Sequence, residues 1–258
     1  MIVFDIETRP HFDREFVDSF KKPFNPDDVA LGNTKDPVKI EERIEAARLG
    51  YDDKFYKDAL LKAELSQMFA LTVLIPQDLE LRFNMTETHK ADIEIWGKPF
   101  KIAVWINEEE GNAIEKDMTA EFFGLYSQIN HMYFAEGQTD QVIVGHNNFG
   151  FDQPYLRRKA WHFHLPIPAD FFVGRSYNPV FQDCSSIWGE GIYNKADSKI
   201  GSYISLDNLS KFLGTGGKED KIAEFVYSVY LNDKKRALQY MANDVILPYK
   251  NYKIMRGE

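Results

Sequence analysis

The sequence predicts an α/β domain: a central mixed β-sheet flanked by helices, with a partly helical insertion at 9–67 after the first strand. Three observations predict it. The chain opens on a short apolar, β-rich run, Ile2-Val3-Phe4-Asp5-Ile6. Strand-like runs gather between 69 and 106. Helical spacing then dominates the last third of the chain. Short β-rich runs bounded by turn residues mark strands, and apolar residues three and four apart mark helices.

Taken in order, 2–6 is the first strand. Residues 9–36 hold prolines, Asp and Asn without periodicity and read as an irregular excursion. From Asp36 the chain turns Glu/Lys/Ala-rich. Val38, Ile40, Ile44 and Ala47, then Leu60, Leu61 and Leu65, predict two helices broken near Gly50. Strands are expected at 69–75, 79–85, 93–96 and 100–106. A helix over 119–132 is expected to start at a Thr119 cap, with Glu121 in its first turn. Val142-Ile143-Val144 is a further strand, followed by a helix over 153–162. A Gly/Ser/Asn-rich loop covers 189–203. A short helix at Leu206–Leu213 is stopped by Gly214, and helices follow near 219–230 and 233–252.

With 258 residues the chain can bury a sizeable core, and 44% apolar with 28% charged residues excludes a disordered polymer. No apolar run approaches the length of a membrane span. The start shows no basic stretch or cleavage signal. Cys184 is the lone cysteine, which excludes an intrachain disulfide and fits a reducing, cytoplasmic compartment. The net charge of -9 disfavours a tight, sequence-independent coat on nucleic acid. It does not disfavour an enzyme whose acids gather around divalent cations, since bound ions offset those charges where a phosphate reacts.

Three stretches carry candidate chemistry. Asp5-Ile6-Glu7 ends the first strand, and side chains two apart on a strand share a face. Adjacent carboxylates repel unless a cation separates them, and hard cations such as Mg²⁺ favour such oxygen ligands. The bland alternative is a solvated strand end. Asp92-Ile93-Glu94 repeats the triplet letter for letter, and Asp78-Leu79-Glu80 repeats its spacing. The second stretch, Gly145 to Leu156, puts Asp152 at a strand–helix junction, where it is equally a helix cap. Asn147 and Asn148 beside Phe149 and Phe151 offer amides and stacking faces suited to an unpaired nucleotide. In the third, Tyr240 and Asp244 lie four apart on a helix and share one face. The helix's apolar stripe runs through Ala237, Leu238, Met241, Val245 and Leu247, so an acid at 244 is costly unless paired or metal-bound. Tyr193 and Asp197 have the same spacing but lie in the loop, where it fixes no common face.

The order of these features resembles the DEDD exonuclease superfamily, the DnaQ-like group with a ribonuclease-H-like fold. An acid pair sits on the first strand, a third acid begins a helix after a later strand, and a fourth lies one turn after a tyrosine on the final helix. The wording is similar to the proofreading domain of family-B DNA polymerases and its stand-alone phage and bacterial relatives. Val3 to Thr8, Gly145 to Leu156 and Tyr240 to Pro248 resemble the three motifs, and Leu206 to Gly214 the link between the last two. Tyr240, with Gln239 where the other branch has histidine, points to the tyrosine branch. The resemblance covers 1–8 and about 68–254. It implies a ribonuclease-H-like fold and a two-metal 3′-5′ exonuclease acting on single-stranded or frayed DNA ends, releasing nucleoside 5′-monophosphates. Asp5, Glu7 and Asp244 would hold one Mg²⁺ or Mn²⁺, Asp5 would bridge to a second, and Asp152 would bind that second ion partly through water. Tyr240 would orient the attacking water without ionising, its reference pKa near 10 making it a poor base. Thr8, His146, Asn147, Phe149 and Phe151 are candidates to hold the terminal nucleotides. An exoribonuclease shares these residues, and a non-catalytic nucleic-acid-binding module shares the fold. A third reading is an accessory subunit that proofreads for a separate DNA polymerase or replication partner; no polymerase motif follows, so any polymerase would come on another chain.

Other residues are read more plainly. Gly214-Thr215-Gly216-Gly217-Lys218 lacks the first glycine of a P-loop, Phe212 standing there. Lys218 and Lys221 are candidates for phosphate contact, the solvated loop lysine being the favoured reading of each. His162 and His164 lack a third ligand for a transition metal. Cys184 has no companions for nucleophilic work. Phe171–Tyr177 reads as core. For His146 a packing role is favoured over catalysis.

Overall fold

The computed structural model describes residues 1–172, 179–189, 193–194, 199–200, 204–218, 220 and 222–258. The chain divides into two compact units, Met1–Thr8 with Met68–Glu258, and Arg9–Gln67.

The larger unit is an α/β domain on a six-stranded mixed sheet of order β3-β4-β2-β1-β5-β6. Its strands are β1 (Ile2–Pro10), β2 (Ser66–Pro76), β3 (His89–Ile95), β4 (Lys98–Ile106), β5 (Ile143–Gly145) and β6 (Phe181–Asp183). β5 runs parallel to both β1 and β6, whereas β4 pairs antiparallel with β2 and β3. A separate two-stranded ribbon pairs β7 (Tyr193–Asn194) with β8 (Lys199–Ile200). β2 is buried from Ser66 to Ile75, as a strand covered on both faces must be, which explains why Met68–Ile75 is apolar except for Thr72.

Helices α1 (Arg14–Asp18), α2 (Pro37–Leu49) and α3 (Tyr51–Leu60) belong to the smaller unit. Asp13 and Asp36 cap α1 and α2 by accepting the N–H groups of Phe16 and Val38. The break at Gly50 falls where expected. The expected apolar stripe of α2 is not buried: none of its residues is, and Val38 is 63% exposed.

Helices α4 (Ala113–Phe134), α5 (Asp152–His162), α6 (Cys184–Gly189), α7 (Leu206–Leu213), α8 (Val226–Asn232) and α9 (Lys234–Met255) complete the larger unit. Alternation along β1 sorts them onto two faces. Phe4 meets the α4 ring of Phe122 at 4.8 Å, a burial that contributes about 1.5–3 kcal/mol. Val3 points the other way and shares a core with Val144 and with Ala237, Tyr240, Met241 and Val245 of α9.

Several expected elements differ. The helix expected near 219–230 begins only at Val226, after a 3-10 turn at Ala223–Phe225, and the stretch expected as a loop over 189–203 carries the β7–β8 ribbon. Residues 79–85 form no strand, because α4 side chains take their backbone groups. Glu121 accepts the N–H of Asn84 and Met85 at 2.8 and 2.9 Å, and Gln128 bonds both the N–H and the carbonyl of Arg82. Thr119 is no cap: it lies inside α4, buried, its hydroxyl donating to the Glu115 carbonyl at 2.7 Å. The short strand β6 and helix α6 were not anticipated. Phe171 is core as expected, while 173–178 lie outside the described residues. Among the described residues no helix is long and apolar enough to cross a membrane.

Candidate active site

Asp5 and Glu7 lie on the Val3 face of β1, the face covered by α9. Asp244 lies on the buried side of α9, one turn after Tyr240. The pleat of a central strand and the period of a helix therefore aim three carboxylates at one spot. Ligand oxygens of Asp5, Glu7 and Asp244 lie within 4.8 Å of one another. No other such group of acid, histidine or cysteine side chains occurs among the described residues. His162 and His164 are exposed and take no part.

Lys218 completes the group. Its ammonium is 2.6 Å from Asp244 Oδ1 and donates to the Tyr240 hydroxyl at 2.8 Å, while lying 4.6 Å from the centre of that ring. The reading of Lys218 as a solvated loop lysine is thereby corrected. Gly214, at φ 70, ends α7 in the left-handed conformation that glycine adopts without strain. The chain then turns back, and Asp207 Oδ1 accepts the Lys218 N–H at 2.9 Å. Lys221 lies outside the described residues, as does Asp197 of the second tyrosine–aspartate pair.

Among the described residues a single ammonium, that of Lys218, faces these acids, and it does not balance them. Burial pushes the Asp5 carboxyl well above its usual range, and Asp244, Glu7 and Asp152 push it further. Glu7 is raised by burial and by Asp244, and Asp244 itself by burial, which Lys218 and Tyr240 only partly offset. Burial alone would lower the Lys218 ammonium; Asp244, Asp5 and Glu7 outweigh it and hold it charged. Burial, Asp244 and Glu7 raise the Tyr240 phenol, which stays protonated at neutral pH.

Asp152 is the first residue of α5, with Phe151 at the cap position, and is buried. Its Oδ1 accepts the N–H of Ile6, the residue between Asp5 and Glu7, at 3.2 Å. Burial raises its carboxyl to about 7, against the lowering effect of that bond. The expected fourth ligand thus adjoins the cluster through the β1 backbone but falls outside the close triad.

The loop 146–151 is drawn in by a residue that the sequence reading missed, Asp183. Its Oδ1 accepts the Asn147 N–H at 2.9 Å and its Oδ2 that of Phe149 at 3.1 Å. The loop is tight: a Cβ on Gly145 would fall 2.1 Å from the Asn148 amide oxygen. Asn147 (φ 64) takes the left-handed conformation that Asn tolerates better than most residues. Asn147, Phe149 and Phe151 are half-buried, with the Phe151 ring 5.6 Å from that of Tyr155. His146 Nε2 bonds the Ile204 carbonyl at 2.9 Å, and burial lowers the pKa of its ring. That bond ties β5 to the approach of α7, the packing role favoured above. Thr8 follows Glu7, half-buried on β1. Cys184 is buried with its thiol pushed up, which disables it as a nucleophile. An open cavity of about 840 Å³ lined by Leu79, Arg82, Phe83, Lys101, Gln128 and His131 shares no residue with the acidic cluster.

Compared with known proteins, the chain matches no family model and none of the curated sequences.

Proposed function

We propose that the chain is a metal-dependent 3′-5′ exonuclease on a ribonuclease-H-like fold, of the tyrosine branch of the DEDD superfamily. The observation that carries this reading is the convergence of Asp5, Glu7 and Asp244 within 4.8 Å beside Tyr240 and Lys218. The donor set fits a hard divalent cation. It consists of carboxylate oxygens that are partly withdrawn from water, mutually repelling and under-compensated. Asp5, Glu7 and Asp244 would hold one Mg²⁺ or Mn²⁺, and Asp5 with Asp152 a second. When bound, such ions supply positive charge against the scissile phosphate and a nucleophile at neutral pH.

The chain's own groups do the rest. Tyr240, kept protonated, would turn its hydroxyl hydrogen from Asp244 to the attacking water, orienting that water rather than removing a proton from it. Lys218 donates to the Tyr240 oxygen and so fixes which way that hydroxyl points. Asn147, Phe149 and Phe151 grip the terminal nucleotides by amide contacts and stacking. The Thr8 backbone meets the terminal sugar or phosphate. The substrate is a single-stranded or frayed 3′ end, and the product a nucleoside 5′-monophosphate.

The test is incubation with Mn²⁺ or Mg²⁺ and oligonucleotides labelled at the 5′ end, as matched DNA and RNA. Stepwise shortening of DNA that EDTA abolishes supports the reading. Faster decay of the RNA strand would reassign the substrate. No digestion of either would overturn the proposal.

A further inference from the structure

Asp183 ends β6 directly opposite Gly145, the last residue of β5. Ligands of open α/β sheets gather beyond the carboxyl ends of parallel strands, where these two strands stop. Asp183 is 2% exposed, yet its carboxylate accepts four backbone N–H groups. Oδ1 takes the N–H groups of Asn147 and Ser185, both at 2.9 Å, and that of Ser186 at 3.4 Å, while Oδ2 takes that of Phe149 at 3.1 Å. One carboxylate thus binds the loop leaving β5 to the first turn of α6. The two loop residues it holds, Asn147 and Phe149, are among the candidates named above to hold the terminal nucleotides.

We propose that Asp183 is the positioning residue of the substrate grip: by bonding both ends of the Asn147–Phe149 turn, it presets that turn for the 3′-terminal nucleotide. This rests on the nuclease reading and extends it to a residue outside the acidic cluster. Nucleotide binding then avoids the cost of ordering the turn, and that saving appears in KM. An amide cannot replace the carboxylate. If Asp183→Asn keeps its oxygen at the Oδ1 position, its NH₂ faces the Phe149 N–H, donor against donor. Flipped, the NH₂ faces Asn147, Ser185 and Ser186 instead.

The experiment compares wild type and Asp183→Asn by three readouts: Mn²⁺ affinity by calorimetry, hydrolysis of bis(p-nitrophenyl) phosphate, which has no base to grip, and kinetics on a single-stranded oligonucleotide. The expected result is an oligonucleotide KM raised about tenfold or more, with the other two readouts within about twofold of wild type. An unchanged KM overturns the proposal, and so does a parallel loss in all three, which marks a purely structural role. Wild-type protein inert toward both substrates overturns the nuclease reading and this inference together. An active wild type beside an unaffected variant overturns this inference alone. Should the variant not fold, amide exchange in wild type decides. Protection of the Asn147 and Phe149 amides already strong in the nucleotide-free protein supports the preset turn. Fast exchange of these amides that slows only when thymidine 5′-monophosphate and Mn²⁺ are added overturns it.

Discussion

The chain contains the triplet Asp-Ile-Glu twice, and the two copies meet opposite fates. Asp92-Ile93-Glu94 lies on β3 at the edge of the sheet, where both acids are exposed and Asp92 accepts a bond from Gln77 at 3.0 Å. Asp5-Ile6-Glu7 lies on β1 inside the sheet, under a helix that brings a third carboxylate. Water screens the first pair and leaves nothing to explain. The second is crowded, desolvated and, among the described residues, served by one ammonium. Asp183 supplies a third condition: it too is buried, but backbone N–H groups saturate it. Burial alone does not mark a cation site. Burial with the negative charge left unbalanced is what sets the proposed site apart.

The contrast is broken most directly by alanine. Asp5→Ala or Asp244→Ala is expected to lower Mn²⁺-dependent digestion of single-stranded DNA by about a thousandfold or more, while Asp92→Ala and Glu94→Ala stay within about twofold of wild type. Circular dichroism checks that each variant folds. Equal losses at the two triplets would remove the distinction. Tyr240→Phe sharpens it, since it takes away a hydroxyl and no charge. Turnover should fall by a factor of about 10 to 1000, with Mn²⁺ affinity by calorimetry nearly unchanged.

Stability without metal should carry the same signature. Asp152 is raised from 3.8 to about 7 in the folded chain. Between those values the native state binds a proton that the unfolded chain has released. The contribution of Asp152 to stability therefore falls as pH rises through that window. Metal-free Asp152→Asn should match wild type near pH 4 and exceed it by roughly 2–4 kcal/mol above pH 7 in urea unfolding. A difference independent of pH would show that the carboxyl is not strained. The smallest effect lies away from the acids. Ser205 caps α7, the helix whose end aims Lys218, and Ser205→Ala should cost about 1 kcal/mol by denaturant titration.

Much of this was legible in the linear chain, for identifiable reasons. Period-two and period-four spacing read off Asp5 with Glu7 and Tyr240 with Asp244, because strands and helices impose those periods. Gly214 announced the end of α7 through the left-handed backbone that glycine adopts without strain, and Gly50 marked the break between α2 and α3. What stayed hidden depended on partners far along the chain. Lys218 looked like a loop lysine because nothing near it in sequence reveals that Asp207 anchors its backbone. Asp183 ends a strand of three residues, too short for any period to show. The run 79–85 has strand-like residues, but Glu121 and Gln128 claim its backbone from another element. Thr119 resembled a cap because α4 begins six residues before it, in a stretch with little apolar signal.

The central claim is that Asp5, Glu7 and Asp244 form a divalent-cation site. Anomalous diffraction from crystals soaked in Mn²⁺ tests it most directly. The account predicts a strong peak about 2.0–2.3 Å from oxygens of all three carboxylates, with the Lys218 ammonium drawn off Asp244. A map with no peak there, or with manganese only at the exposed acids of β3, would contradict it.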